Sequence, residues 1–333
     1  KCSYGFRQGR STQDAMQACF QALCQKTSAE WILEGDIRGC FDHLDQVWLV
    51  EHLPTDQGKL RAWLKAGYLE RGMFHPTAEG TPQGGIISPT AANMALDGLA
   101  GRLKTHVRGR RKVNLVRYAD DFIITGASQA LLEEEVKPLV VQFLTERGLE
   151  LAEEKTRIVH IDQGFDFLGF NVRKYNGKLL IKPATSSIAA VKEKVREIIR
   201  TGRSLPQGIL IRRLNPVIRG WGNYYRHFVS KEVFHDIDNA IWRMTWNWAK
   251  RRHPQRTRKW VKDRYYARRE GCDWVFTDGS VELFRMLSIP IRRHVLIRGA
   301  SNPYDPEYAS YFAARRARQR TEAPENAPAW LFL

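Results

Sequence analysis

The sequence predicts an α+β chain, in which a mixed helix-and-sheet half precedes a mostly helical and basic half. Residues 1–183 alternate short apolar runs with helical periodicity, which is typical of a mixed domain. After about residue 184 the pattern changes to helices rich in Arg and Trp. The formal net charge of +17 follows the same division, because residues 1–183 hold 24 Lys and Arg against 22 Asp and Glu, whereas residues 184–333 hold 29 against 14. A chain of 333 residues is expected to form two or three domains.

Apolar runs and turn residues predict the elements of the first half. The run from Trp31 to Asp36 indicates a buried strand that ends in a carboxylate. Ser88-Pro89 predicts a helix start, with the serine as N-cap and the proline at the first helical position. Residues 113–125 predict a β-hairpin with acidic residues at its tip, and residues 167–181 predict further strands with a turn at Asn176-Gly177.

Three helices are predicted in the second half, at about residues 185–200, 209–228 and 231–250. We expect interruptions in the second helix at Pro216, Gly220 and Gly222. The third helix carries apolar side chains on one face, at Phe234, Ile237, Ile241, Met244 and Trp248. The composition of residues 321–329 predicts a disordered tail.

The composition restricts the class of partner. A large excess of basic residues indicates a polyanionic partner. The five cysteines are too scattered for paired zinc ligands, and their odd number argues against a full disulfide framework, so a reducing cytosol is expected. No apolar run approaches the roughly 20 residues that cross a bilayer. The sequence therefore predicts a nucleic-acid partner and no membrane.

Carboxylates at a strand end and a hairpin tip are the main chemical signal. Asp36 ends one predicted strand and Asp120-Asp121 caps the hairpin, so adjacent strands would bring them together. Hard oxygen ligands of this kind can hold the two divalent cations that phosphoryl transfer needs. An acidic pair in a solvated turn is the alternative explanation. Between these segments, Gln83-Gly84-Gly85 precedes the predicted helix and would let backbone approach a substrate closely.

The order of these segments resembles the reverse transcriptases encoded by bacterial group II introns. The resemblance includes Tyr4-Gly5-Phe6-Arg7 at the edge of the fingers and Tyr118-Ala119-Asp120-Asp121 at the hairpin. It implies a right-hand polymerase palm with partial fingers in residues 1–183, an α-helical thumb and maturase domain in 184–258, and a basic DNA-binding region in 259–333. The start of the fingers and the C-terminal HNH nuclease of many relatives are expected to be missing.

The resemblance assigns the catalytic residues. Asp36 and Asp120 would bind two Mg²⁺ ions with help from the backbone carbonyl of Ile37, and Asp121 would be the third catalytic carboxylate. Lys155 would protonate the leaving pyrophosphate. An exposed ion pair is the alternative explanation for this lysine.

The same resemblance assigns the nucleotide and the primer–template. Phe41 matches the bulky residue that excludes a 2′-hydroxyl, although packing in the core also explains a phenylalanine there. Gln83 and Gly84 match residues beside the incoming nucleotide. The residues assigned to primer or template are Arg7, Arg10, Tyr118, Leu168 and Gly169.

Arginine and aromatic side chains recur together in the second half. This mixture suits a groove that follows an RNA backbone and stacks on its bases. Residues 220–225 resemble the maturase segment of the family. For Trp242 and Trp248, helical periodicity favours burial in a helix core. The expected RNA-binding residues are Arg212, Arg213, Arg219, Trp221, Tyr224, Tyr225 and Arg226.

The resemblance implies an RNA-directed DNA polymerase, a nucleotidyltransferase that uses deoxynucleoside triphosphates, an RNA template and a DNA primer in the bacterial cytoplasm. The same protein would act as a maturase that binds group II intron RNA, promotes splicing and supports retrohoming of this mobile element into target DNA as a ribonucleoprotein. Two alternatives are a non-catalytic RNA-binding splicing cofactor and a CRISPR-associated reverse transcriptase. The carboxylates and Gln83-Gly84-Gly85 favour an enzyme.

Overall fold

The computed structural model describes residues 2–70, 73–77, 79–82, 85–107, 111–269, 271–299 and 301–322, without the side chains of 68–70 and 319–322. The chain divides into two units by its internal contacts. Unit 1 comprises Lys1–Phe165, Lys174–Leu179 and His294–Leu333, and unit 2 comprises Asp166–Arg173 and Leu180–Arg293. The predicted domains, 1–183, 184–258 and 259–333, are defined by their expected functions, and this division stays a prediction.

Helices and strands alternate in the first half and helices dominate the second, so the predicted α+β class is confirmed. The helices are α1 Thr12–Leu23, α2 Cys40–His43, α3 Gln46–His52, α4 Gln57–Leu64, α5 Ser88–Ala95, α6 Leu99–His106, α7 Lys137–Thr145, α8 Thr185–Thr201, α9 Gln207–Tyr225, α10 Lys231–Arg252, α11 Arg258–Tyr265 and α12 Ala309–Glu322. The strands are β1 Trp31–Gly35, β2 Tyr68–Glu70, β3 Met73–His75, β4 Asn114–Tyr118, β5 Asp121–Gly126, β6 Arg157–His160, β7 Phe165–Phe167, β8 Phe170–Tyr175, β9 Lys178–Pro183, β10 Tyr266–Arg269 and β11 Cys272–Phe276. Short π and 3₁₀ turns lie at Leu131–Val136, Met286–Ser288 and Pro306–Tyr308.

A four-stranded antiparallel sheet forms the centre of unit 1, in the order β4-β5-β1-β6. The inner strands β1 and β5 are almost wholly buried, as their Ile- and Leu-rich sequences require. Helices that precede and follow the β4–β5 hairpin in sequence pack on this sheet. Their shared core includes Leu33, Phe122, Ile124, Phe143 and Leu144.

Helices α8, α9 and α10 form the main body of unit 2. Leu214 and Ile218 of α9 are fully buried, as is the predicted apolar face of α10 apart from the half-buried Met244. The predicted interruptions of the second helix are wrong, because α9 continues from Gln207 to Tyr225 with Pro216 inside it. Pro216 is exposed, so its ring lies on the solvent side of the helix while the buried Leu214 and Ile218 pack on the opposite face.

The local geometry of the chain tests the predicted turn and the predicted helix start. The turn at Asn176-Gly177 is confirmed between β8 and β9, with φ values of 49° and 76° that suit a two-residue hairpin. Ser88 is the first residue of α5 and not its N-cap, because its hydroxyl donates to the carbonyl of Pro82 at 2.8 Å.

Helix α12 continues to Glu322, so disorder is not found at residues 321 and 322, and 323–329 lie outside the described residues. Among the described helices, none is long and apolar enough to span a bilayer.

A buried carboxylate joins helix α1 to the segment after residue 293, within unit 1. Asp14 is fully buried, and its Oδ1 accepts from the backbone of Ile297 at 2.9 Å and from Arg315 at 3.1 Å, and lies 2.9 Å from His294 Nε2. Its Oδ2 accepts from the backbone and the hydroxyl of Ser11. Burial alone would raise the pKa of Asp14, but these partners hold it below its ordinary value.

Replacing Asp14 by asparagine is expected to lower the free energy of unfolding at pH 7 by about 3 kcal/mol, because the largely buried guanidinium of Arg315 loses its counter-charge. A depressed carboxyl pKa stabilises the fold above the unfolded value of about 4, and this stabilisation is lost as the pH falls through the folded pKa. Urea unfolding should therefore separate wild type from the variant at pH 7, and the difference should shrink as the pH falls below about 4 towards the lowered pKa of Asp14. Glu51→Gln, at an exposed position of α3, is the control. Equal midpoints of wild type and Asp14→Asn at pH 7 would contradict this role.

Candidate active site

Three carboxylates lie at one end of the central sheet of unit 1. Asp36 follows the last residue of β1, Asp120 lies in the turn between β4 and β5, and Asp121 is the first residue of β5. The register pairs Gly35 of β1 with Phe122 of β5. The structure therefore brings the end of β1 beside the acidic turn.

The turn that carries Asp120 is fixed by its neighbours. Ala119 has a φ of 57°, and its carbonyl accepts from the buried guanidinium of Arg117 at 2.9 Å. Arg117 also donates to Asn93 Oδ1 at 3.2 Å, while Asn93 Nδ2 donates to the carbonyl of Gly5 at 2.9 Å. A Cβ on Gly5 would clash with the backbone nitrogen of Ala119 and lie 3.0 Å from the carbonyl carbon of Tyr118. Only a glycine permits this approach.

Gly5, Asn93 and Arg117 were not assigned a role from the sequence. A signal for Arg117 existed, because a charged side chain within an apolar strand must find buried partners. Nothing in the sequence indicated those partners, since Asn93 lies 24 residues away and Gly5 more than 100. These three residues support the turn and do not belong to the carboxylate set itself.

Charge is concentrated at this end of the sheet. The side chain of Asp121 keeps contact with solvent, yet partial burial, together with the negative charges of Asp120 and Asp36, raises the pKa of Asp121 to about 6. Lys155 Nζ lies 2.6 Å from Asp36 Oδ2, and this hydrogen bond raises the pKa of the lysine. The cluster thus brings three carboxylates together, and one of them is paired with Lys155.

The donor set suits a divalent cation by its chemistry. Among the described residues, no three His, Cys, Asp or Glu side chains are arranged as a ready metal site. Carboxylate oxygens are the hard ligands that Mg²⁺ prefers, and their mutual repulsion is relieved by a cation. Because Lys155 occupies one oxygen of Asp36, metal binding there requires this ion pair to open.

Backbone pairing sets the position of Asp36 and Ile37. The amide of Ala152 donates to the carbonyl of Asp36 at 2.9 Å, and Ile37 forms an antiparallel bridge with Leu151. The amide of Lys155 donates to the carbonyl of Ala152, so the same short segment carries the lysine towards Asp36. This explains how residues far apart in sequence meet at the carboxylates.

Phe41 is half-buried and packs against the core of unit 1. Its ring lies edge-on to that of Phe6, with centroids 6.2 Å apart, and its carbonyl accepts from the amide of Thr81 at 2.6 Å. The Phe41 side chain therefore takes part in core packing, which is the alternative explanation that the sequence offered. Gln83 and Gly84 lie outside the described residues.

The residues assigned to primer and template fall in both units. In unit 1, Tyr118 is half-buried beside the acidic turn, exposed Arg7 donates to the carbonyl of Ser3, and Arg10 donates to the carbonyl of Gly299. In unit 2, Leu168 and Gly169 form the turn between β7 and β8.

Two tyrosines of α9 hold the turn at Leu168 and Gly169. Tyr224 donates from its hydroxyl to the carbonyl of Leu168 at 2.9 Å, and Tyr225 donates to that of Gly169 at 3.0 Å. Ser187 also donates to the Gly169 carbonyl. A Cβ on Gly169 would meet the hydroxyls of Tyr225 and Ser187, so glycine is required here too. The hydroxyls of these tyrosines thus have structural partners within unit 2.

The other expected RNA-binding residues differ in exposure. Arg212 and Arg213 are exposed on α9. Arg219 lies over the ring of Phe284 at 4.6 Å, and Arg226 is buried. Trp221 is half-buried against Tyr225, with ring centroids 4.3 Å apart. Among these residues, Arg212 and Arg213 are therefore the exposed ones.

Comparison with known families identifies both halves of the chain. The profile of the family described as reverse transcriptase (RNA-dependent DNA polymerase) matches residues 1–172. The profile of the group II intron maturase-specific domain matches residues 188–266. The first match covers more than half of the chain and includes the three carboxylates, which supports the polymerase fold.

The chain is similar to the group II intron-encoded protein LtrA of Lactococcus lactis, at 30% identity over 59% of this chain and 45% of that protein. It is also similar to protein YkfC of Escherichia coli, at 31% identity over 50% of this chain and 54% of that protein. It therefore spans about half the length of these relatives. A solved telomerase from Candida albicans matches with a TM-score of 0.39 and 13% identity, over 75% of this chain and 51% of that one, a similarity too low to carry an argument. By its two profile matches the chain belongs to the reverse transcriptase family, in the group that carries the group II intron maturase domain.

Proposed function

We propose that this protein is an RNA-directed DNA polymerase in which a primer 3′-hydroxyl attacks the α-phosphate of a deoxynucleoside triphosphate. The observation that carries the proposal is the meeting of Asp36, Asp120 and Asp121 at one end of the sheet in a chain of this family. Asp36 and Asp120, with the carbonyl of Ile37, would hold two Mg²⁺ ions. Bound Mg²⁺ supplies neutralisation of phosphate charge and activation of the attacking hydroxyl.

Lys155 fits the role of proton donor to the leaving pyrophosphate. Its pKa is raised by Asp36, so the side chain stays protonated at neutral pH. An exposed ammonium on a flexible stem can leave the carboxylate when a cation takes that oxygen, and can then approach a phosphate. Phe41, Gln83 and Gly84 would contact the incoming nucleotide, and the turn at Leu168 and Gly169 the primer.

We further propose that unit 2 binds the group II intron RNA, so that the protein promotes splicing and later supports retrohoming into target DNA. The maturase-domain match and the basic residues of α9 support this part of the proposal. Exposed Arg212 and Arg213 would contact phosphates. An RNA-binding splicing cofactor without polymerase activity is the second candidate, and the match of residues 188–266 to the maturase-specific domain also supports it.

Primer extension on an RNA template, run beside a splicing assay with the cognate intron RNA, tests the proposal. The protein is expected to extend a DNA primer only when Mg²⁺ and deoxynucleotides are present, and to accelerate splicing. Splicing without extension would support the cofactor instead. Absence of both activities would remove the proposed function.

A further inference from the structure

An aromatic cluster in unit 2 contains tryptophans to which no functional role has been assigned so far. Trp242 and Trp246 are one turn apart on α10, with ring planes 5° from parallel and centroids 6.2 Å apart. Trp274 of β11 stands edge-on to both, at 5.7 Å from Trp242 and 5.5 Å from Trp246. We call Trp242, Trp246 and Trp274 the tryptophan cluster.

The cluster is rigid on its inner side. Tyr266 is buried, and its ring lies 5.9 Å from that of Trp246 and 5.7 Å from that of Trp274. Its hydroxyl lies 3.1 Å from the Thr245 hydroxyl, which anchors β10 to α10. The orientation of the indole rings is therefore set before any ligand binds.

The outer side of the cluster is open to solvent. Trp274 is 38% exposed, which is unusual for so large an apolar side chain, and Trp242 and Trp246 are half-buried. By contrast, Trp248 on the same helix is buried with 4% exposure, as the helical periodicity predicted, whereas Trp242, for which the same burial was predicted, is only half-buried. One helix thus carries one tryptophan for the core and two for a partly exposed cluster.

The segment from the end of α10 through β10 is strongly basic in sequence, and one of its lysines contacts the cluster. Residues 250–269 contain ten Lys and Arg against one acidic residue, Asp263. Lys262 Nζ lies 4.8 Å from the centre of the Trp274 ring. Arg268 and Arg269 are paired with Asp273 and Glu282, but most of the other basic side chains are exposed. Open aromatic faces beside this much positive charge suit a polyanion that carries flat rings of its own.

We propose that the tryptophan cluster is a stacking site for unpaired bases of RNA, with Lys262 and its basic neighbours holding the adjoining phosphates. The proposal rests on the RNA-binding part of the proposed function and adds where unpaired nucleotides bind and why. Bases within a duplex are already stacked and cannot use these rings, so the site selects single-stranded segments. Stacking tolerates any base, so sequence selectivity does not arise here.

Fluorescence anisotropy with the full chain tests the site, using a 12-nucleotide oligouridylate and a 12-base-pair RNA duplex as probes. Trp274→Ala is expected to weaken binding of the oligouridylate about tenfold and to leave duplex binding unchanged. Because no charge is lost, the slope of log Kd against log salt should stay at the wild-type value. Trp274→Phe, which keeps a stacking ring and the packing of the hairpin, should restore most of the affinity.

Matched variants separate stacking from charge and from folding. Trp63→Ala removes a tryptophan of similar exposure, 45%, from α4 in unit 1 and should leave both affinities unchanged. Arg212→Ala with Arg213→Ala should flatten the salt dependence instead, since two phosphate contacts are lost. Thermal unfolding of each variant reports whether the fold is kept.

The outcomes distinguish this inference from the proposed function. Wild-type affinity of Trp274→Ala for the oligouridylate, or an equal loss for the duplex, would overturn the stacking site while leaving the maturase proposal intact. A selective loss for the single strand supports the site even if primer extension fails. If the wild type binds neither probe, the stacking site and the RNA-binding part of the proposed function are both wrong.

Discussion

Asp120→Ala is expected to reduce primer extension by about a thousandfold while leaving RNA binding unchanged. Asp120 is one of two proposed carboxylate ligands of the Mg²⁺ ions, and loss of a metal that stabilises transition-state charge costs several kcal/mol, with about 4 kcal/mol equal to a factor of a thousand. The turn itself should persist, because Arg117 holds it through the carbonyl of Ala119 and not through the Asp120 side chain. Single-turnover extension on an RNA template measures the effect.

The control for this variant is Glu134→Ala. Glu134 is also acidic and lies in unit 1, but it is exposed on the π-helical segment Leu131–Val136, outside the acidic turn. It should extend primers at the wild-type rate. The assignment of the carboxylates is wrong if Asp120→Ala does the same. If Asp120→Ala loses both RNA binding and primer extension, the variant has a folding defect instead.

Gly5→Ala is expected to lower primer extension about a hundredfold without removing any polar group. The added Cβ would clash with the backbone nitrogen of Ala119, so the Tyr118–Ala119 peptide must move. A shift of about 1 Å in a catalytic group can cost a factor of about 100 in rate. Because the change alters position and not charge, the loss should fall mainly on kcat, with the KM for the deoxynucleotide changing little.

Gly101→Ala is the matched control, since nothing lies within 4 Å of a Cβ at that position of α6. This control should keep full activity and gain a fraction of a kcal/mol in stability, because alanine suits a helix better than glycine. Wild-type kcat for Gly5→Ala would show that the close contact with the turn does not position Asp120.

Local chemistry in the sequence was enough to predict the site's backbone. Apolar runs predicted the β4–β5 hairpin and the strand β1 before Asp36. The Asn176-Gly177 turn was predicted because both residues accept a positive φ. Each of these signals lies within a few neighbouring residues. The meeting of Asp36 with the acidic turn also required only that two antiparallel strands pair in register.

Features that depend on distant contacts were not predicted. Pro216 was expected to break a helix, but burial of Leu214 and Ile218 on the opposite face keeps α9 continuous. The hydroxyls of Tyr224 and Tyr225 hold a turn 56 residues earlier, a contact that the sequence did not indicate, while the assignment of these tyrosines to RNA stays a prediction. Residue type alone cannot show which of two partners a polar side chain will find.

The contacts of Asp14 also constrain the order in which the chain can fold during synthesis. The carboxylate emerges from the ribosome before its partners His294 and Arg315, which lie 280 and 301 residues later. All of unit 2 is translated in that interval. Because domains tend to fold as they emerge, unit 2 can complete its core while unit 1 still waits for its last segment. The nascent unit 1 therefore stays unfinished, with the Asp14 carboxylate of α1 unpaired with Arg315, until the segment after residue 293 has been made.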